Sequence, residues 1–219
     1  NDIIGKIQAV ETVFHEEEFR WNELFPSLPH LGANYLLEHP IGVCRESCDC
    51  SVYLLRALGI PAVTDHYKVS PHTSGDHSWN AVRDTTGLVV PFWLSESKVG
   101  RGESDGRPKG KVFRREYGNE VRDVTADYFG ANEARIELIA EARGKDLELC
   151  VFTCGNYVPV DKGETKGGKG VFRNLEPGIR FFPMYRNEVG EREFAGYPFC
   201  IDSLGKTVSY VPDTTIRHR

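Results

Sequence analysis

Apolar positions at the start of the chain recur with the period of a helix. Over residues 2–25, Ile3, Ile7, Val10, Val13 and Phe14 follow that spacing and HEEEFRW supplies a charged outer face, which predicts an amphipathic helix. The prolines and serine of FPSLPH (25–30) interrupt it with a loop. LGANYLLEHP (31–40) predicts a short helix stopped by Pro40. Gly42 then turns the chain into a central helix over about 43–58, with Val52, Leu54, Leu55 and Leu58 apolar enough to bury it on most sides. Gly59 and Pro61 end it. The period then shortens to two. AVTDHYKV (62–69), HSWNAVRD (77–84) and LVVPFWL (88–94) read as strands, the last two joined by the turn at DTTG, with Pro91 suggesting an edge or a bulge.

Residues 97–111 carry almost nothing apolar and read as a flexible loop or linker, followed by a short strand or tether at KVFRREY (111–117). From about Val121 the pattern becomes a series of short β segments: 134–142, 147–154, 157–160, 170–175, 179–185, 197–203 and 207–212. KGETKGGKG and NEVGERE read as loops between them. This spacing predicts a sandwich or small barrel. The fold class is therefore α+β, with an α/β domain over 1–118 and an all-β, sandwich-like domain over 119–219.

Composition narrows the classes of function. A net charge of −5 argues against a nucleic-acid partner, and the one basic cluster, KGKVFRR (109–115), reads as a solvated linker. No apolar run reaches the roughly 18 residues of a membrane span. The chain begins at Asn1 without Met, which suggests a mature or trimmed chain. The six cysteines are not spaced as a disulfide framework or a zinc site. Most read as buried thiols. His15, His30 and His39 have no companions at ligand spacing, and no metal or cofactor is called for.

Chemistry concentrates between Gly42 and Trp93. Cys44 falls where the central helix begins, and the free N–H groups of a helix N-terminus lower a thiol pKa and can cradle an oxyanion. Cys48 and Cys50 lie deeper in that helix and lose the advantage. His77 opens a strand and is the candidate base. Trp79 and Trp93 read first as core aromatics and second as walls of a substrate cleft.

The string G-V-C, LLRALGIPA and DHSWNAV resembles the core of the transglutaminase-like superfamily, over about residues 40–95. Cys44 stands fourteen residues before Leu58, and His77 opens H-S-W, as in the family pattern. HSWN, KVFRREY, DVTADY and the β-rich tail are similar to a Bacteroidetes-type group of secreted transglutaminase-like proteins with a C-terminal β domain. The resemblance implies a papain-like Cys-His-Asp fold, a cell-envelope location and a peptide, protein or glycopeptide substrate. It also implies thiol-dependent acyl transfer or hydrolysis. The chain departs at the third residue: about sixteen positions after His77, where the family has Asp, stands Trp93 within V-P-F-W. Glu96 is the nearest substitute for that acid; Asp84 lies at the turn, Asp76 in the preceding loop, and Asn80 on the opposite strand face from His77. The alternative is a catalytically degenerate fold that binds peptide or glycan.

Overall fold

The computed structural model describes residues 2–16, 19–22, 31–73, 75–93, 98–99, 106–116 and 120–213. It is a mixed α+β structure in which antiparallel sheets outweigh the helices. The chain divides into two compact units. The first comprises Asn1–Tyr67, Asp76–Arg107 and Val112–Arg122; the second comprises Lys68–Gly75, Pro108–Lys111 and Asp123–Arg219. No helix among the described residues is long and apolar enough to cross a membrane.

The first unit contains α1 (Ile3–Glu16), β1 (Arg20–Trp21), α2 (Ala33–Glu38), β2 (Ile41–Gly42), α3 (Cys44–Ala57), β3 (Val63–Tyr67), β4 (His77–Arg83), β5 (Val89–Trp93), β6 (Lys98–Val99), β7 (Phe113–Arg115) and β8 (Val121–Asp123), of which Asp123 belongs to the second unit. The last six form one sheet in the order β6-β5-β4-β3-β7-β8. Helix α3 supplies Cys50, Val52 and Leu55 to a core shared with Val82, Val90 and Phe92 of the sheet and with Ile7 of α1 and Leu36 of α2. The helix expected over 2–25 ends at Glu16, and Arg20–Trp21 is a strand instead. The N–H of Arg20 donates to the Pro40 carbonyl (2.7 Å) and that of Asn22 to Gly42 (2.8 Å), a parallel pairing that helical spacing in FRW could not report. Pro91 pairs with Ala81 of β4, while β6 pairs with Phe92 and Trp93. The missing N–H of Pro91 therefore lies just outside that outer ladder.

The second unit contains α4 (Thr125–Phe129), β9 (Glu133–Glu137), β10 (Leu147–Thr153), β11 (Asn156–Lys166), β12 (Lys169–Arg173), β13 (Phe182–Arg186), β14 (Arg192–Phe194), β15 (Phe199–Ile201) and β16 (Thr207–Ser209). Six strands run in the order β14-β13-β10-β11-β12-β9, and β15 and β16 form a separate hairpin. The N–H of Ile139, just past β9, donates to the Ala195 carbonyl just past β14 (2.9 Å). A hydrogen bond thus links the two ends of the strand order. The core of this unit holds Ala134, Ile136, Leu147, Leu149, Val151, Val160, Phe172 and Phe181.

Several expected boundaries move. The strand predicted over 134–142 ends at Glu137, and Ala140–Ala142 is a 3-10 turn. The segment KGETKGGKG is not a loop: β11 runs through it to Lys166 and turns at Gly167–Gly168, both with positive φ, into β12. Strand β11 pairs with β10 as far as Gly163 and with β12 from Glu164, so Gly163 sits at the change of partner. A Cβ there would fall 2.3 Å from the Phe172 ring, which is buried. Only glycine lets that ring lie against the strand.

The basic cluster at 109–115 is not solvated. Lys109, Lys111 and Arg114 are buried. Lys111 Nζ pairs with Asp123 (2.6 Å) and Asp161 (2.7 Å) and donates to the Arg173 carbonyl (2.9 Å), all within the second unit. The N–H groups of Lys109 and Gly110 donate to Glu176 Oε2, each at 2.6 Å. In the first unit Arg114 forms a bidentate pair with Asp65 at 2.7 and 2.8 Å across β7 and β3. Charge runs are usually solvated because burying an ion is costly; here Asp123 and Asp161 neutralise Lys111 and Asp65 neutralises Arg114.

Two stability experiments follow from these contacts. Asp65→Ala leaves the Arg114 guanidinium buried without its carboxylate and should destabilise the first unit by about 3–5 kcal/mol. Urea denaturation followed by tryptophan fluorescence reads this directly, because Trp21, Trp79 and Trp93 all belong to that unit. Gly163→Ala drives a methyl into Phe172 and should cost about 1–3 kcal/mol, seen as a lower midpoint in circular-dichroism melts; an unchanged midpoint would show that β11 has room to shift.

Candidate functional site

The N-terminus of α3 is set by an interaction three residues into the helix. Val43 is the N-cap and has no side-chain acceptor. Glu46 reaches back instead: its Oε2 accepts the Val43 N–H at 3.1 Å, and its other oxygen pairs with the Arg45 guanidinium. This is the carboxylate half of a capping box, and it satisfies one of the free donors at the helix start. The Glu46 carboxylate is wholly buried. A Cβ on residue 42 would lie 2.5 Å from Glu46 Cβ, and Gly42 has a φ of 153°. Glycine at 42 and glutamate at 46 together make Cys44 the first helical residue.

Helix α3 lies against β4. Asn80 Nδ2 donates to the Cys48 carbonyl of α3 (3.1 Å) and to the Val63 carbonyl of β3 (3.4 Å), so Asn80 is on the face of β4 that α3 covers. Its Oδ1 is buried and has no hydrogen-bond partner among the described residues. Ser78 shares that face by strand alternation. Its backbone and hydroxyl hydrogen-bond to the half-buried Cys44 thiol, and the charge of Asp76 also acts on that sulfur. Cys44 is therefore held beside the two residues that flank His77 in the chain, while His77 itself projects with Trp79 from the other face of β4.

His77 is the first residue of β4 and is only 4% exposed. Its ring packs among aromatic side chains: Trp93 of β5 edge-on at 4.6 Å, Tyr67 of β3 at 6.0 Å and Trp79 nearly parallel at 6.2 Å between centroids. Trp79 and Trp93 are buried, and the Trp93 indole N–H has no hydrogen-bond partner among the described residues. Trp21 meets the Trp93 ring edge-on at 6.0 Å while remaining half exposed. Nothing local in FRWNELF links it to Trp93; the β1–β2 pairing carries it here. Where the family pattern places an acid, the ring of Trp93 faces His77. Glu96, the proposed substitute, lies outside the described residues. Asp84 closes the β4–β5 turn, its Oδ1 accepting from the N–H groups of Thr86 and Leu88 and from the Thr86 hydroxyl.

The electrostatics of Cys44 run opposite to the expectation from its helix position. Burial pushes the thiol above its ordinary value of 9.0 and Asp76 pushes the same way. Hydrogen bonds from Ser78 and from the Arg45 backbone at the helix start pull it down without prevailing. The helix terminus contributes as predicted, but desolvation outweighs it. Burial drives Cys48 well above 9.0, and burial with Asp49 raises Cys50 to about 11. All six cysteines are free thiols. No three His, Cys, Asp or Glu side chains among the described residues are gathered to hold a metal.

A thiol with a raised pKa is largely protonated at pH 7, and its thiolate accumulates only above the ordinary value. Iodoacetamide labelling of Cys44, followed by peptide mass analysis, should keep accelerating from pH 7 to beyond 9, with Cys48 and Cys50 slower throughout. A labelling plateau reached below pH 8.5 would show instead a stabilised thiolate. Comparison of the chain with protein-family models and with curated proteins finds no match.

Proposed function

We propose that the first unit is a transglutaminase-like domain performing thiol-dependent acyl transfer or hydrolysis on peptide or carboxamide bonds. Cys44 is the nucleophile and His77 the base. The observation that carries the reading is the placement of Cys44 as the first residue of a buried helix, with its sulfur against Ser78 and under the charge of Asp76, the neighbours of His77. The raised thiol pKa makes His77 a general base acting during attack and not the partner of a resting ion pair.

In this reading the Cys44 S–H proton passes to His77 as the sulfur bonds to the carbonyl carbon. The resulting oxyanion collapses, the C–N bond breaks, and His77 returns the proton to the departing amine. Water then cleaves the thioester to a carboxylic acid, or an amine takes the acyl group. A peptide, protein or glycopeptide substrate and a cell-envelope location belong to the same proposal.

A second reading is a degenerate fold that binds peptide or glycan without turning it over. It is supported by the ring of Trp93 against His77, by the alternation that turns His77 from the face of β4 covered by α3, and by the net upward displacement of the Cys44 thiol. Losing the group that orients a catalytic imidazole typically costs orders of magnitude in rate.

The two separate on acyl-enzyme formation. Incubation with p-nitrophenyl acetate should acetylate the catalytic form at Cys44, seen as an acetyl increment in intact mass that disappears in Cys44→Ala. His77→Gln should slow the acylation by about 10²–10⁴-fold. Acylation that is absent, or equal in Cys44→Ala, would establish the binding reading.

A further inference from the structure

The second unit carries an aromatic surface that the proposed chemistry does not use. Phe152 of β10, Tyr157 of β11, Phe182 of β13 and Phe194 of β14 form one group of rings. Centroids lie 5.0 Å apart for Phe152–Tyr157 and Tyr157–Phe182, and 5.2 Å for Tyr157–Phe194. Phe152 and Tyr157 are direct cross-strand partners. Phe152 is 46% and Phe194 44% exposed. A sheet face turned to solvent ordinarily carries polar side chains, and contiguous exposed rings mark an interaction site.

Beside these rings is a cavity of about 270 Å³, lined by Phe152, Phe182, Tyr210, Arg180, His72 and Pro71 among others. The guanidinium carbon of Arg180 sits 4.7 Å over the Tyr210 ring. The Tyr210 hydroxyl in turn lies 3.3 Å from Cys200 Sγ. The stacked arrangement preorganises an exposed cation at the edge of an aromatic cavity. No carboxylate is among the described residues lining it.

We propose that this cavity binds an acidic saccharide, a pyranose bearing a carboxylate. The C–H face of the sugar rests on Phe152 and Phe182, whose ring faces are electron-rich, and its carboxylate engages Arg180 through charge-assisted hydrogen bonds. The volume suits one sugar residue, and the ring surface towards Phe194 gives room for the next. The guanidinium of Arg180 selects an anionic ligand, while flat exposed rings select one with planar C–H faces. A purely apolar anchor would leave Arg180 unused. The proposal does not depend on Cys44 chemistry.

The test uses the full chain in native affinity electrophoresis through gels containing polygalacturonate, with dextran as the neutral sugar and poly-glutamate as the acidic peptide. Polygalacturonate should retard the protein and the other two should not. Arg180→Gln and Phe152→Ala, both at exposed positions and checked for an unchanged melting midpoint, should each weaken retardation at least tenfold. Arg180→Lys should recover part of it, and Cys44→Ala should leave it intact. No retardation by polygalacturonate, equal retardation by poly-glutamate, or full retardation of both folded variants would overturn the proposal.

Discussion

A single carboxylate folded back on its own helix sets the N-terminus of α3 in the first unit. Glu46 accepts the Val43 N–H from inside the first turn of α3, and the space it occupies is open only because residue 42 has no Cβ. That contact decides where the helix starts and makes Cys44 its first residue. Beyond it, β2 pairs with β1, and this pairing brings Trp21 to Trp93. The helix end, the parallel pair and the aromatic group beside His77 thus form a connected set of constraints.

Buried charge plays a comparable part elsewhere in each unit. Asp65 and Arg114 tie β3 to β7, and Lys111 joins Asp123, Asp161 and the end of β12. Burial raises the pKa of Asp123, but hydrogen bonds from Lys111, Thr125 and Asn174 outweigh that and hold the carboxyl below its ordinary value. Such pairs do not add much net stability over a well-packed apolar alternative, yet removing one member is severe. They therefore act as alignment devices, since a register shift would strand an ion away from water.

At Cys44 the balance is between a helix terminus and desolvation. The N-terminal amide and Ser78 favour thiolate; burial and Asp76 favour thiol, and the latter prevail. A thiol of that kind is not a resting thiolate at neutral pH. The ring of His77 packs among Trp93, Tyr67 and Trp79.

The sequence by itself determined the elements whose cause is local. The central helix, its end at Gly59, the β4–β5 hairpin and the change to short strands after Val121 all follow from periodicity and turn residues, and each is found within a few positions. The candidacy of Cys44 and His77 came from the same local reading and the family resemblance. Tertiary structure decided what depends on distant partners. Arg20–Trp21 became a strand because residues 40–42 offered hydrogen bonds; Lys111, in a polar stretch, became buried because Asp123 and Asp161 came to meet it. The Cys44 thiol rose because the fold removed water from it. Periodicity describes one segment at a time, whereas desolvation and ion pairing are properties of what the fold brings alongside.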